Sequence, residues 1–140
     1  MSKEPRDQDY LKHIQEAIGK IRRYVAGKSE ANFMSDDLVQ DSVIRNLEII
    51  GEAATKLSSE LKASYEEVPW REISAMRNRL IHGYISVNLQ IVWDTVEKVL
   101  PEFEAKVESI QREIESSQLK SRGPGSVRFF VCRSIFRFVV

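Results

Sequence analysis

From Asp7 to about Ala26, apolar residues return at Tyr10, Ile14, Ala17, Ile18, Ile21, Tyr24 and Val25, the spacing of one helical face. The same period recurs three more times. Gly27 and the polar Lys28 to Asn32 break the first segment; Ser35, Asp36 and Asp37 then offer a cap and first-turn carboxylates for a second helix running to about Ser58, with Val43, Leu47, Ile50, Ala54 and Leu57 on its face. Gly51 lowers helix propensity there, so a close helix–helix approach is its expected reason. Leu61 to Tyr65 adds a short helical piece. Pro69 suits the first position of a third long helix, which carries Trp70, Ile73, Met76, Leu80 and Ile81 and stops at Gly83, placed where a C′ residue belongs. Asn88 caps a last helix with Val92, Val96, Val99, Phe103, Val107, Ile110 and Ile114 on one face, and Pro101 inside that pattern predicts a kink or two abutting helices. No stretch before Val127 alternates with the period of a strand. The expected fold is therefore all-α, an antiparallel bundle of four to five helices.

Charge divides the chain where the periodicity ends. The 140 residues hold 21 Lys and Arg against 21 Asp and Glu. From Leu119 onward there are five basic residues (Lys120, Arg122, Arg128, Arg133, Arg137) and no acid, so residues 1–118 carry 16 basic against 21 acidic side chains. A helical domain over 1–118 and a basic, Phe-rich tail over 119–140, entered through the Ser121–Ser126 linker, is the expected division. The acidic body argues against a protein that coats nucleic acid non-specifically. The single Cys132 can neither staple a fold nor build a multi-thiolate zinc site. Met1 to Asp9 is polar rather than an apolar leader, and no apolar run has the length of a membrane span. The expectation is a soluble, cytoplasmic protein with no membrane contact.

Two histidines make the search for chemistry short. His13 lies on the flank of the first apolar stripe and reads as a solvated surface residue. A carboxylate-bridged di-metal bundle would place Glu three residues before each His; Tyr10 and Arg79 stand there instead, and no metal or other cofactor is expected. His82 sits in Met76-Arg77-Asn78-Arg79-Leu80-Ile81-His82-Gly83-Tyr84. One reading is a basic helix end whose arginines pair with carboxylates and whose histidine meets terminal carbonyls. The other is the kit of a metal-free ribonuclease. An imidazole can take the proton of a ribose 2′-OH, and a guanidinium can hold the phosphate and stabilise the charge of its pentacoordinate transition state. Residues five apart on an ideal helix diverge by roughly 140°, whereas Asn78 and His82 share a face. Arg77 must reach around, or the helix must loosen near its end. A helix C-terminus favours imidazolium, so acid and base roles for His82 both stay open.

Arg77-x4-His82-x-Tyr84 resembles the signature of the HepT-like toxins of the HEPN superfamily. So do Asp41-Ser-Val-Ile-Arg45-Asn46-Leu-Glu48-Ile-Ile-Gly51-Glu52-Ala, Val68-Pro-Trp70-Arg71 and Ile91-Val-Trp93-Asp94. The resemblance covers residues 7 to 115 and leaves the tail outside. It implies a HEPN-like bundle that dimerises so that two Arg-His motifs face one cleft, acting as a metal-independent endoribonuclease toxin of a type II toxin–antitoxin system. Arg77 and His82 match the catalytic pair and Asn78 the polar residue after the arginine; Arg79, beside them, is expected to support the site. The implied partners are RNA, a second copy of the chain and an MNT nucleotidyltransferase antitoxin, in a homodimer or a larger hetero-oligomer. That antitoxin would transfer AMP to Tyr84, placing negative charge and bulk beside the phosphate-binding arginine. A site shared across a two-fold axis would also remove the need for Arg77 and His82 to share one helix face, and would gather Arg71, Arg77 and Arg79 from both chains.

The alternative function is a non-catalytic nucleotide- or partner-binding helical module acting with the nucleotidyltransferase. Arg45, Glu48 and Glu52, at i, i+3 and i+7, have the pattern of a surface ion-pair ladder, although such carboxylates could orient Arg77. Trp70 and Trp93 fit core or dimer-interface anchors better than base-stacking platforms.

Overall fold

The computed structural model describes residues 6–83 and 85–121, and the described chain is helical between short loops. Tyr84 and most of the predicted tail, residues 122–140, lie outside the described residues. Helix α1 (Asp7–Val25) buries Leu11, Ile14, Ala17, Ile18 and Ile21, with Asp7 and Asp9 in its first turn and Arg22 and Arg23 in its last, the signs that complement a helix dipole. Helix α3 (Asp37–Lys56) starts where expected: the Asp36 carboxylate accepts the Val39 N–H at 3.2 Å. That bond, aided by Lys28, holds the Asp36 carboxyl below its ordinary value.

Between them lies α2 (Glu30–Met34), in a stretch where the polar residues predicted only a break. Ser29 and Asn32 cap it reciprocally, Asn32 N–H to Ser29 Oγ at 3.2 Å and Ser29 N–H to Asn32 Oδ1 at 3.1 Å. This single turn delivers Phe33 into the core, fully buried with its ring centroid 5.2 Å from that of Trp93.

Helix α3 is central, packing on α1 on one side and on α5 (Trp70–His82) on the other. Neighbours run antiparallel. Asp7 at the start of α1 takes the Ser58 N–H (2.8 Å) and hydroxyl (2.6 Å) just beyond the end of α3. Ser58 in turn caps α4 (Ser59–Ser64) by accepting the Leu61 N–H at 3.2 Å. Ser58→Ala is expected to lower stability by about 1–2 kcal/mol, read as a lower urea midpoint with an unchanged denaturant slope. Tyr65, which follows α4, donates its hydroxyl to Glu113, and burial together with that carboxylate pushes the phenol well above its ordinary range.

The last predicted helix is continuous but not uniform. α6 (Leu89–Asp94), capped by Asn88 Oδ1 on the Gln90 and Ile91 N–H groups, runs through a π turn (Thr95–Val99) into α7 (Leu100–Ser121). Pro101 has no N–H for the carbonyl one turn back, and its ring crowds that carbonyl; the wider turn immediately before it relieves both conflicts without a break. The extra residue also rotates the buried face. Val99, expected in the core, is 45% exposed, and Leu100 takes its place at 5%, followed by Phe103, Val107 and Ile110. α7 returns along α1: Arg22 pairs with Glu104 near one end, and Gln118 donates to Gln8 at 3.3 Å near the other. Trp70 and Trp93 are both buried, Trp70 edge-on to Phe103.

Candidate active site

Helix α5 carries the predicted site, and its two ends are built differently. Pro69 precedes the first helical residue instead of occupying it. At the other end, regular helix persists through His82, so the chain does not loosen to bring Arg77 round. Gly83 ends the helix as expected, with a φ of −95°. Its N–H bonds the Arg79 carbonyl at 2.9 Å, and a Cβ there would stand 2.6 Å from that same oxygen, so the close approach favours glycine.

Arg77 is set into the side of the bundle. The close approach predicted at Gly51 is realised against this residue, because a Cβ on Gly51 would lie 2.5 Å from Arg77 Cβ, 3.3 Å from its Cα and 3.2 Å from the Ile73 carbonyl oxygen. The glycine notch lets the Arg77 backbone sit on α3. Its guanidinium then meets Glu52, with Nε 2.6 Å from Oε2, and reaches the Asn78 side-chain oxygen through Nη1 at 3.3 Å. Glu52 Oε1 also lies 3.4 Å from Lys56 Nζ. Arg77 retains 34% side-chain exposure, enough to present the rest of its fork to a ligand. Arg45 pairs with Glu48 at 3.5 Å on the exposed surface, so the expected ladder exists for that pair alone while Glu52 turns to Arg77.

Asn78, Arg79 and His82 are exposed. His82 and Arg79 make no side-chain hydrogen bond or ion pair among the described residues, so the sequence alternative in which both are tied into the helix end does not hold for these two. Among the described residues no hydrogen bond joins Arg77 and His82: the guanidinium is paired with Glu52 on α3, and the imidazole lies exposed at the helix terminus. Ile81, placed on the buried face by periodicity, is 39% exposed; Ile85 and Ile91, beyond His82, are 84% and 60% exposed. Among the described residues no group of three His, Cys, Asp or Glu side chains gathers as a metal site would, and no helix is long and apolar enough to cross a membrane.

The profile of a family described as ribonuclease HepT-like matches residues 14–110, a span containing every helix that builds this site. The chain belongs to the HepT-like ribonuclease family. A Thermococcus cleftensis protein named as a probable ribonuclease HepT is 38% identical to this HepT-like ribonuclease over 104 residues, covering 74% of this chain and 94% of its own. A Caldanaerobacter subterraneus protein provisionally named as an RNase is 41% identical over 101 residues, 72% of this chain and 90% of that one. A Methanocaldococcus jannaschii protein, whose name joins a gamma-glutamylcyclotransferase to a provisional RNase, is 38% identical over 109 residues; there the HepT-like chain spans about half (49%) of the relative's length. No solved structure matches the chain.

Proposed function

We propose that this HepT-like ribonuclease is the toxin of a toxin–antitoxin pair, a metal-independent endoribonuclease whose site forms where two copies of the chain meet. The observation that carries the reading is the division of labour on α5: Arg77 is paired with Glu52, while among the described residues His82 has no side-chain partner and no hydrogen bond joins the two. A second copy related by a two-fold axis can set one chain's His82 opposite the other's Arg77. The exposed apolar side chains of Ile81, Ile85 and Ile91, close to His82 in the sequence, supply surface for that contact.

In this reaction the ribose 2′-oxygen attacks the adjacent phosphorus while a base removes its proton. The P–O5′ bond breaks, an acid protonates the departing 5′-oxygen, and a 2′,3′-cyclic phosphate remains. His82 exchanges a proton as base or acid. Arg77 donates to the non-bridging phosphate oxygens as charge accumulates on them, with Asn78 and Arg79 supporting the phosphate from the exposed face of α5. Tyr84, two residues beyond His82, is the acceptor for AMP from a nucleotidyltransferase antitoxin; an adenylate there would repel the RNA phosphate from Arg77.

The test is cleavage in excess chelator. Single-stranded RNA should be cut to products ending in cyclic phosphate, and the same strand carrying a 2′-deoxy residue at the cut position should survive. Activity that vanishes with chelator and returns with a divalent cation would refute the metal-independent mechanism. A folded dimer that binds a nucleotidyltransferase yet leaves every RNA intact would favour the non-catalytic module. Incubation with the antitoxin and ATP should add the mass of adenylate to the wild-type chain and not to Tyr84→Phe. Residues 119–140 take no part in this chemistry, so deleting them should leave cleavage intact.

A further inference from the structure

We infer that Glu52 is the positioning residue for the phosphate-binding arginine, holding Arg77 through Nε so that the terminal amino groups face the RNA. The inference rests on the role proposed above for Arg77, and two independent features of the fold point to it. First, the contact is directed. The carboxylate takes the Nε side of the guanidinium at 2.6 Å, and Nη1 leans on Asn78 at 3.3 Å. The Nε–H is thereby occupied, while the Nη1/Nη2 edge keeps donors for a phosphate. Second, the backbone beneath the contact is built for it. Gly51, the residue before Glu52, is the one position on α3 where the absence of a Cβ lets α5 seat against it, and the atoms it admits belong to Arg77 and Ile73. The notch sets the distance between the helices, and the carboxylate beside it sets the direction of the guanidinium.

Two effects of Glu52 oppose each other in sign, which makes the inference decidable. A carboxylate beside a phosphate-binding site weakens RNA binding by repulsion, so a Glu52 without a positioning role would be a liability whose removal improves KM and leaves kcat alone or raises it. A brace that aligns the arginine with the transition state has the opposite signature. Its loss lowers kcat, because an interaction realised only in the transition state is misplaced, and leaves KM equal or lower.

Steady-state cleavage of a defined RNA by the full-length protein should show kcat reduced about 10- to 100-fold in Glu52→Ala with KM no higher than wild type. Glu52→Gln keeps an oxygen acceptor for Nε–H and should recover kcat to within roughly three-fold. Arg45→Ala, which removes an ion pair elsewhere on the same helix, should leave both constants and the melting temperature unchanged. An unchanged or raised kcat in folded Glu52→Ala overturns the inference, and so does failure of the glutamine variant to restore what alanine loses. Should the alanine variant not fold, Glu52→Asp decides: it keeps the charge and withdraws the oxygen, so a fall in kcat at unchanged melting temperature supports positioning and an unaltered kcat refutes it. Arg77→Ala separates this inference from the reading beneath it. Full cleavage by that variant would remove the role of Arg77 itself, whereas its inactivity beside a fully active Glu52→Ala would remove only the brace.

Discussion

His82→Ala is expected to reduce RNA cleavage by about 10²–10⁴-fold, the contribution of a positioned proton-transfer group, without changing the fold. The imidazole is exposed at the end of α5 and has no partner among the described residues, so its removal costs no packing, and stability should stay within about 0.5 kcal/mol of wild type. Arg77→Ala should lose about 10²–10³-fold, the range for removing a donor aimed at developing charge. Combined, the two losses should fall short of their product, because they serve one transition state. The sharper consequence concerns assembly. If each site takes Arg77 from one chain and His82 from the other, a dimer of one Arg77→Ala chain with one His82→Ala chain contains one site with both groups and one with neither. Random one-to-one mixing of the two inactive proteins should then restore about a quarter of wild-type activity. If each chain supplied its own pair, every site would be broken and mixing would restore nothing. The assay needs only subunit exchange and a labelled RNA, and it distinguishes a shared site from two separate ones.

Long elements were legible because they repeat. α1, α3, α5 and the α6–α7 run each show several turns of a 3.6-residue period, and their caps at Asp36 and Asn88 lie where the side-chain chemistry required. What escaped was too short or too local to repeat. Five residues of α2 cannot display a period, although the Ser29–Asn32 pair that caps it was a readable signal. One π turn, Thr95–Val99, was enough to exchange Val99 for Leu100 in the core, and only Pro101 hinted at it. Gly83 stops α5 where the sequence places it, whereas the Arg79 carbonyl that a side chain there would meet is a three-dimensional contact the sequence does not display. The site divides along the same line. Arg77 and His82 are recognisable as a spaced pair, and their divergence on a regular helix follows from its geometry. The contact between Glu52 and Arg77 depends on the register of α3 against α5, which no local pattern encodes. The carboxylate could only be named as a neighbour able to orient the arginine; the glycine beside it carried the rest of the information.

That glycine gives the second large effect. Gly51→Val is expected to lower stability by about 1–3 kcal/mol and to lower activity by far more than the remaining folded fraction explains. A Cβ at this position would fall 2.5 Å from Arg77 Cβ, with the Ile73 carbonyl and Arg77 Cα at 3.2 and 3.3 Å, and none of these atoms is the free end of a flexible side chain. The helices must separate. In an open helix interior glycine is less favourable than alanine by about 1 kcal/mol, so relief of that deficit opposes the strain, and Gly51→Ala should be the milder variant in denaturant titration. Activity should not follow the same gradation. Separating α5 from α3 carries Arg77 away from Glu52, and misplacing a catalytic group by about 1 Å can cost 10²-fold in rate. Measured at a temperature where each variant is fully folded, kcat should therefore fall steeply already in Gly51→Ala, and the loss should not add to that of Glu52→Ala, since both act by releasing the same arginine. Additive losses would mean that the notch and the carboxylate serve separate ends; a Gly51→Ala protein as active as wild type would mean that the close approach at Gly51 serves packing alone.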